Sequence, residues 1–197
     1  MSRLGPAFAA RPGLTGLIPF VTAGYPSLDA TLEMLRRFEA LGARAVEIGI
    51  PFSDPIADGA EIQRASEWAL GRGVSLAAVL DLVESFRAAG KLPVVLMTYV
   101  NPVLRYGVEA FAARARAAGV DGVLVSDLPP DEDAAFWGTL ERAGLDPIVL
   151  VAPTTALARI PALVSRSRGF VYCLARTGVT GSTSGYAGSL PERIAEL

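Results

Sequence analysis

The sequence predicts an α/β fold built on a parallel sheet, either open or closed into a barrel. Short apolar runs alternate with amphipathic stretches along nearly the whole 197-residue chain. The runs are rich in Val, Ile and Leu and carry little charge, as expected of parallel strands covered on both faces. Regular alternation of strand and helix favours βαβ units. No linker or composition shift divides residues 1–197, so a single domain is predicted.

Six strands are predicted, one at each apolar run. They are Leu17–Thr22, Ala45–Ile50, Pro93–Tyr99, Gly122–Asp127, Pro147–Ala152 and Phe170–Ala175. Apolar residues at helical spacing predict the connecting helices, as with Leu28, Leu32 and Leu35 in the first of them. These helices are Ser27–Leu41, Glu61–Leu70, Leu76–Ala89, Val108–Ala118, Asp131–Ala143 and Ala156–Ser165.

The loops that follow the strands have an unusual composition. The loop after the second strand is PFSDPIADG, and the sixth strand is followed by RTGVTGSTSGYAGS at Arg176–Ser189. In an α/β barrel such loops gather on one face and build the ligand site. The small residues of the last loop leave backbone N–H groups free to approach a phosphate, or let the loop close over a ligand. A flexible surface loop is the alternative.

Composition excludes several classes of function. The net charge is −2 without a basic run, which argues against nucleic acid or an anionic membrane surface as partner. The hydrophobic fraction is 51% and the mean hydropathy +0.40, but every apolar run is too short to span a bilayer. The first residues lack a long apolar core, so no signal peptide is expected.

Histidine is absent and cysteine occurs once, at Cys173. This composition removes His-based triads, imidazole metal sites, thiolate clusters and disulfides within the chain. Acid–base chemistry is therefore left to Asp, Glu, Lys, Tyr or Arg. Cys173, within VYCLA, is interpreted as a small buried hydrophobe.

Two carboxylates are the candidate catalytic residues. Glu47 lies within an apolar strand, where an ionised carboxylate is costly to bury, and Asp58 lies in the loop beyond the end of that strand. Carboxylates in such different surroundings form a plausible acid–base pair. The alternative is a Glu that faces solvent and an Asp that caps a helix.

The segment EIGIPFSDPIADG at 47–59 resembles the signature of the tryptophan synthase alpha subunit family. Four further segments resemble that family in the same order, so the resemblance covers essentially the whole chain. They are LIPFVTAGYP at 17–26, LMTYVNPVLRYG at 96–107, VLVSDLPPDE at 123–132, and Tyr172 with RTGVTG at 176–181.

The resemblance implies a TIM (β/α)₈ barrel and a cytoplasmic lyase of tryptophan biosynthesis. The implied reaction is retro-aldol cleavage of indole-3-glycerol phosphate to indole and glyceraldehyde 3-phosphate. Glu47 would be the general acid–base, and Asp58 would hold the indole N–H. No cofactor is implied for this chain. Pyridoxal phosphate is expected only in the beta subunit, the partner in an α₂β₂ complex.

The resemblance also implies the remaining substrate contacts. Apolar strand residues would line the indole pocket, although plain core positions are the alternative for each. These residues are Phe20, Met97, Leu124 and Tyr172. Thr180 would help to close the last loop over the site, and Gly181 would offer a backbone contact to phosphate. The loop after the second strand and the Asn101–Pro102 region resemble surfaces that dock the beta subunit.

Members of the family continue through two more strands, so the predicted barrel lacks its last two strands and their helices. One alternative is a catalytically impaired fragment that only binds a beta-type partner. Another is a different phosphosugar barrel. A Schiff-base aldolase is disfavoured, because such an enzyme needs a lysine at a strand's carboxyl end, whereas Lys91, the only lysine, precedes the third strand.

Overall fold

A computed structural model describes residues 2–10 and 13–175 of the chain. Its strands are all parallel to their neighbours, in the order β1-β2-β3-β4-β5 for one sheet and β6-β7 for a second pair. The strands are β1 (Phe20–Thr22), β2 (Val46–Gly49), β3 (Val94–Thr98), β4 (Gly122–Val125), β5 (Asp146–Pro147), β6 (Val149–Val151) and β7 (Val171–Cys173).

The fifth predicted strand is divided into two short ones, which corrects the prediction of a single strand at Pro147–Ala152. Its first part, β5, pairs with β4, and its second part, β6, pairs with β7. The Ile148 N–H still bonds to the Val123 carbonyl (2.9 Å), so the chain runs on without a loop between the two parts. Pro147 has no N–H to donate at the point where the pairing changes from one neighbour to the other.

The helices are α1 (Leu4–Ala9), α2 (Leu28–Ala40), α3 (Ala60–Leu70), α4 (Leu76–Arg87), α5 (Val100–Tyr106), α6 (Val108–Ala118), α7 (Ala134–Arg142) and α8 (Ile160–Arg166), with a 3₁₀ turn at Leu157–Arg159. Ser27, Ser75 and Asp133 cap α2, α4 and α7, because their side chains accept N–H groups of the first turn. None of the described helices is long and apolar enough to cross a membrane.

Two helices, α1 and α5, were not predicted from the sequence. Both are short, and both depend on contacts distant in the chain. Leu4 of α1 is fully buried in a cluster with Val95, Leu124 and Ile148. The first N–H of α5, that of Val100, is held by the Asp127 carboxylate (2.8 Å) from the loop after β4.

The buried residues form two main layers, one on each face of the sheet. The outer layer joins alternate strand residues, such as Ile48 and Leu96, to α2, α4, α6 and α7. The inner cluster joins Ile18, just before β1, to Tyr172 on β7 and includes residues from the strands between them. Since a residue next to the first strand and a residue on the last described strand share one cluster, the sheet curves as a barrel wall does.

Candidate active site

Glu47 lies on the inner face of the barrel wall. The register aligns Phe20 of β1, Glu47 of β2 and Val95 of β3, so their side chains share that face. Met97 lies two residues after Val95, and Leu124 of β4 is its aligned partner. A single acid therefore stands in an apolar surface, as the sequence predicted for this strand.

The surroundings of Glu47 favour its neutral form. The residue is 3% exposed, and among the described residues its Oε1 atom has no hydrogen-bond partner. Burial raises the pKa of Glu47 to about 7, from an ordinary value of 4.5. Near neutral pH this carboxyl group can therefore both give and accept a proton.

Asp58 lies in the loop between β2 and α3, beyond the carboxyl end of β2. It is half-buried and borders a small cavity together with Phe20 and Met97, two of the predicted pocket residues. Burial raises the pKa of Asp58, and the Tyr99 hydroxyl group near the carboxylate opposes that rise. The cavity thus has a carboxylate at its rim and apolar side chains in its wall.

Gly49 explains how the Phe20 ring reaches this cavity. A Cβ atom on Gly49 would lie 2.6 Å from the Phe20 ring, which is closer than any real contact. The glycine of the EIG segment therefore leaves the space that the aromatic ring occupies.

The other predicted pocket residues also lie on the inner face. Met97, Leu124 and Tyr172 belong to the same inner cluster, and Leu124 is fully buried. Burial raises the pKa of Tyr172, and the negative charge of Glu47 raises it further, so the phenol and the carboxylate face the same space. The remaining predicted residues, Thr180 and Gly181, lie outside the described residues, as does the whole loop Arg176–Ser189.

Sequence reasoning missed polar residues that border the same cavity. Tyr99 follows β3 directly and is 4% exposed, and Ser126 follows β4. The only available signal was their position at the carboxyl ends of neighbouring strands, where a barrel carries its chemistry. By contrast Lys91 precedes β3, at the opposite end of the barrel, as predicted.

Fold and site together define a class, a βα-barrel with a buried carboxyl group in its wall and a second one in the loop beyond the carboxyl end of the same strand. Residues 8–197 match the family model described as the tryptophan synthase alpha chain. A tryptophan synthase alpha chain of Burkholderia multivorans is 52% identical over 97% of this chain and 73% of its own length. One from Ralstonia nicotianae is 46% identical over the full chain and 76% of its own length.

Solved structures give the same result. A tryptophan synthase structure from Mycobacterium tuberculosis superposes with a TM-score of 0.89 at 42% identity, covering 99% of this chain and 75% of its own. The alpha subunit from Legionella pneumophila superposes with a TM-score of 0.84 at 34% identity, covering the full chain and 72% of its own.

The chain belongs to the tryptophan synthase alpha chain family. This membership confirms the predicted TIM-barrel fold and identifies a lyase of the alpha reaction in tryptophan biosynthesis. The family works with a beta subunit in the tryptophan synthase complex.

Proposed function

We propose that the chain cleaves indole-3-glycerol phosphate by a retro-aldol reaction, with Glu47 as general acid–base and Asp58 as the group that holds the indole N–H. The observation that carries this proposal is a buried Glu47, whose Oε1 has no hydrogen-bond partner among the described residues, together with a half-buried Asp58 in the loop beyond the same strand. Releasing indole requires a proton at ring carbon C3 and the loss of a proton from the glycerol hydroxyl group.

Glu47 has the properties that this proton transfer needs. A pKa near 7 keeps the protonated and ionised forms both populated at neutral pH. Protonated Glu47 delivers its proton to C3. The Glu47 carboxylate that remains can then take the proton that the hydroxyl group loses. The apolar walls, Met97 and Leu124 among them, exclude water that would stabilise the ionised form.

Asp58 supplies a negative charge rather than a proton. Protonation of C3 makes the indole ring cationic, and its N–H then becomes a stronger donor. A carboxylate at the rim of the cavity stabilises that positive charge more in the intermediate than in the substrate, which lowers the barrier. The Phe20 ring and the Met97 side chain supply apolar contacts that suit an indole ring.

Indole release from indole-3-glycerol phosphate tests the proposal directly, in the protein at its natural length with and without the beta subunit. Asp58→Asn keeps the size of the side chain and removes its charge, so kcat should fall at least ten-fold. Unchanged kcat and KM in this variant would leave Asp58 as a residue that only shapes its loop. Binding of the beta subunit without any indole release by the unmodified protein would favour the alternative, a binding protein.

We also propose that the beta subunit docks beside this cavity. A groove of about 700 Å³ runs between the loop after β2 and the start of α5, and its lining includes Pro51, Asn101 and Pro102. The exposed apolar side chains of Ile56 and Leu104 lie in the same two segments. Exposed apolar groups beside a groove are typical of a protein–protein interface.

Leu104→Asp tests this surface. The substitution places a charge on the exposed face of α5, so the beta subunit should bind at least ten-fold more weakly. Leu41→Asp is the matched control, because Leu41 is also exposed but follows α2 and belongs to neither of the two segments that border the groove. If both variants bind the beta subunit as tightly as the unmodified protein in isothermal titration calorimetry, the docking surface does not include Leu104.

A further inference from the structure

We infer that Tyr99 is a positioning residue for the alpha reaction, which fixes the place and the charge of Asp58 through its hydroxyl group. This inference rests on the proposed role of Asp58. Tyr99 itself is buried at the edge of the cavity that Asp58 also borders, and it needs no contact with substrate to act.

The Tyr99 hydroxyl group faces two adjacent residues of one loop. It accepts the N–H of Ala57 (2.9 Å), and it lies near enough to the carboxylate of Asp58 to lower the pKa of that group. Accepting the Ala57 N–H leaves the hydroxyl proton free to point toward the carboxylate. A single oxygen therefore holds the loop backbone next to Asp58 and faces the side chain of this proposed indole-binding residue.

The ring that carries this hydroxyl group is itself held in place. It is 4% exposed and contacts the Phe52 ring, from the beginning of the same loop, with ring centres 5.3 Å apart. Tyr99 also precedes α5, whose first N–H, that of Val100, bonds to Asp127 (2.8 Å). The phenol is thus anchored by β3, α5 and the loop after β4, whereas Asp58 belongs to a loop of irregular structure.

The charges around Tyr99 keep its proton on the oxygen. Burial is the main cause that raises its pKa to about 12, and the negative charges of Asp58 and Asp127 add to the rise. The phenol therefore keeps its proton at neutral pH and can act as a hydrogen-bond donor toward Asp58. Its donation opposes the rise that burial causes in the pKa of Asp58, so it favours the ionised carboxylate that the indole N–H requires.

Tyr99→Phe removes the hydroxyl group and keeps the ring against Phe52. In a carboxyl ¹³C NMR titration of the protein at its natural length, the pKa of Asp58 should rise by about one unit. The acid limb of the pH profile of kcat/KM should move upward by the same amount, since ionised Asp58 is needed. The control is Tyr25→Phe, since Tyr25 is exposed against Trp68 and does not border the cavity.

A second variant keeps the hydroxyl group and guards against misfolding. Fluorotyrosine at position 99 makes the phenol a stronger donor, so the pKa of Asp58 should fall. An Asp58 pKa that is the same in the unmodified protein and in both variants would overturn the inference. The NMR titration needs no turnover, so it tests the role of Tyr99 even if the protein releases no indole. A lack of indole release would refute the proposed function and not the inference about Tyr99.

Discussion

Glu47 and Asp121 are both buried carboxylates of the same barrel, but their surroundings are opposite. Asp121 lies just before β4, at the amino end of the strands, and is 0% exposed. Its Oδ1 accepts the backbone N–H (2.8 Å) and the guanidinium (2.9 Å) of Arg3, and its Oδ2 accepts Arg87 (2.8 Å) and the N–H of Val94 (3.0 Å). For Glu47, Oε1 has no partner among the described residues.

The difference separates a structural acid from a chemically available one. The Asp121 partner Arg87 also has a structural role. It donates to the carbonyls of Gly119 (2.9 Å) and Leu92 (2.8 Å) and so joins α4 to the turns before β3 and β4. The hydrogen bonds of Asp121 join the N-terminal segment, α4 and the start of β3. An unpartnered carboxyl group costs stability and remains free to react.

The largest expected effect is on catalysis at Glu47. Glu47→Gln keeps the shape of the side chain and cannot transfer a proton, so indole release should fall by roughly 10²–10⁴-fold. Glu67→Gln, on the exposed side of α3, is the control and should leave the rate unchanged. If the Glu47→Gln protein folds and keeps more than about a tenth of the activity, Glu47 is not the general acid–base.

The second effect is on stability at the other end of the barrel. Asp121→Asn leaves the Arg87 guanidinium, which is 10% exposed, without its counter-charge. The free energy of unfolding should fall by about 3–5 kcal/mol. Urea denaturation measures this change, and a loss below about 1 kcal/mol would show that the carbonyl partners of Arg87 suffice.

The third effect is the pH dependence that Glu47 imposes on stability. Its folded pKa of about 7 lies above the ordinary value of 4.5, so the folded state binds a proton that the unfolded state has released. The stabilising contribution is complete below about pH 4.5 and is lost as pH rises through 7. Relative to Glu47→Gln, the native protein should lose on the order of 3 kcal/mol across this range.

Denaturation curves of both proteins at several pH values between 4.5 and 8 give that difference. Comparing the two removes the contribution of every other titrating group. A difference that stays constant with pH would mean that Glu47 is solvated, contrary to its burial.

The smallest effect should come from Arg3, the other cationic partner of Asp121. Its side chain is 42% exposed, and its backbone N–H bond to Asp121 survives any substitution. Arg3→Met should therefore cost about 0.2–1 kcal/mol, much less than Arg87→Met. If Arg3→Met and Arg87→Met lower the stability equally in thermal unfolding, the burial of an ion pair does not determine how much it contributes to stability.

The sequence by itself determined the barrel wall and its acid. Strands covered on both faces have continuous apolar runs, so β1 to β4 and β7 lie within their predicted ranges. The same logic identified Glu47, since a carboxylate in such a run has apolar neighbours whichever way the strand faces. The position of Asp58 followed from the rule that loops after parallel strands carry the site.

Only the tertiary structure decided the features that depend on distant partners. The change of neighbour between β5 and β6, the short helices α1 and α5, and the Tyr99 contacts with Ala57 and Asp58 all join segments far apart in the chain. Asp121 is the clearest case, because its four hydrogen bonds come from residues 27 to 118 positions away. The apolar pattern of the sequence indicates whether a side chain is buried. The partners of that side chain, and therefore its role, depend on the fold.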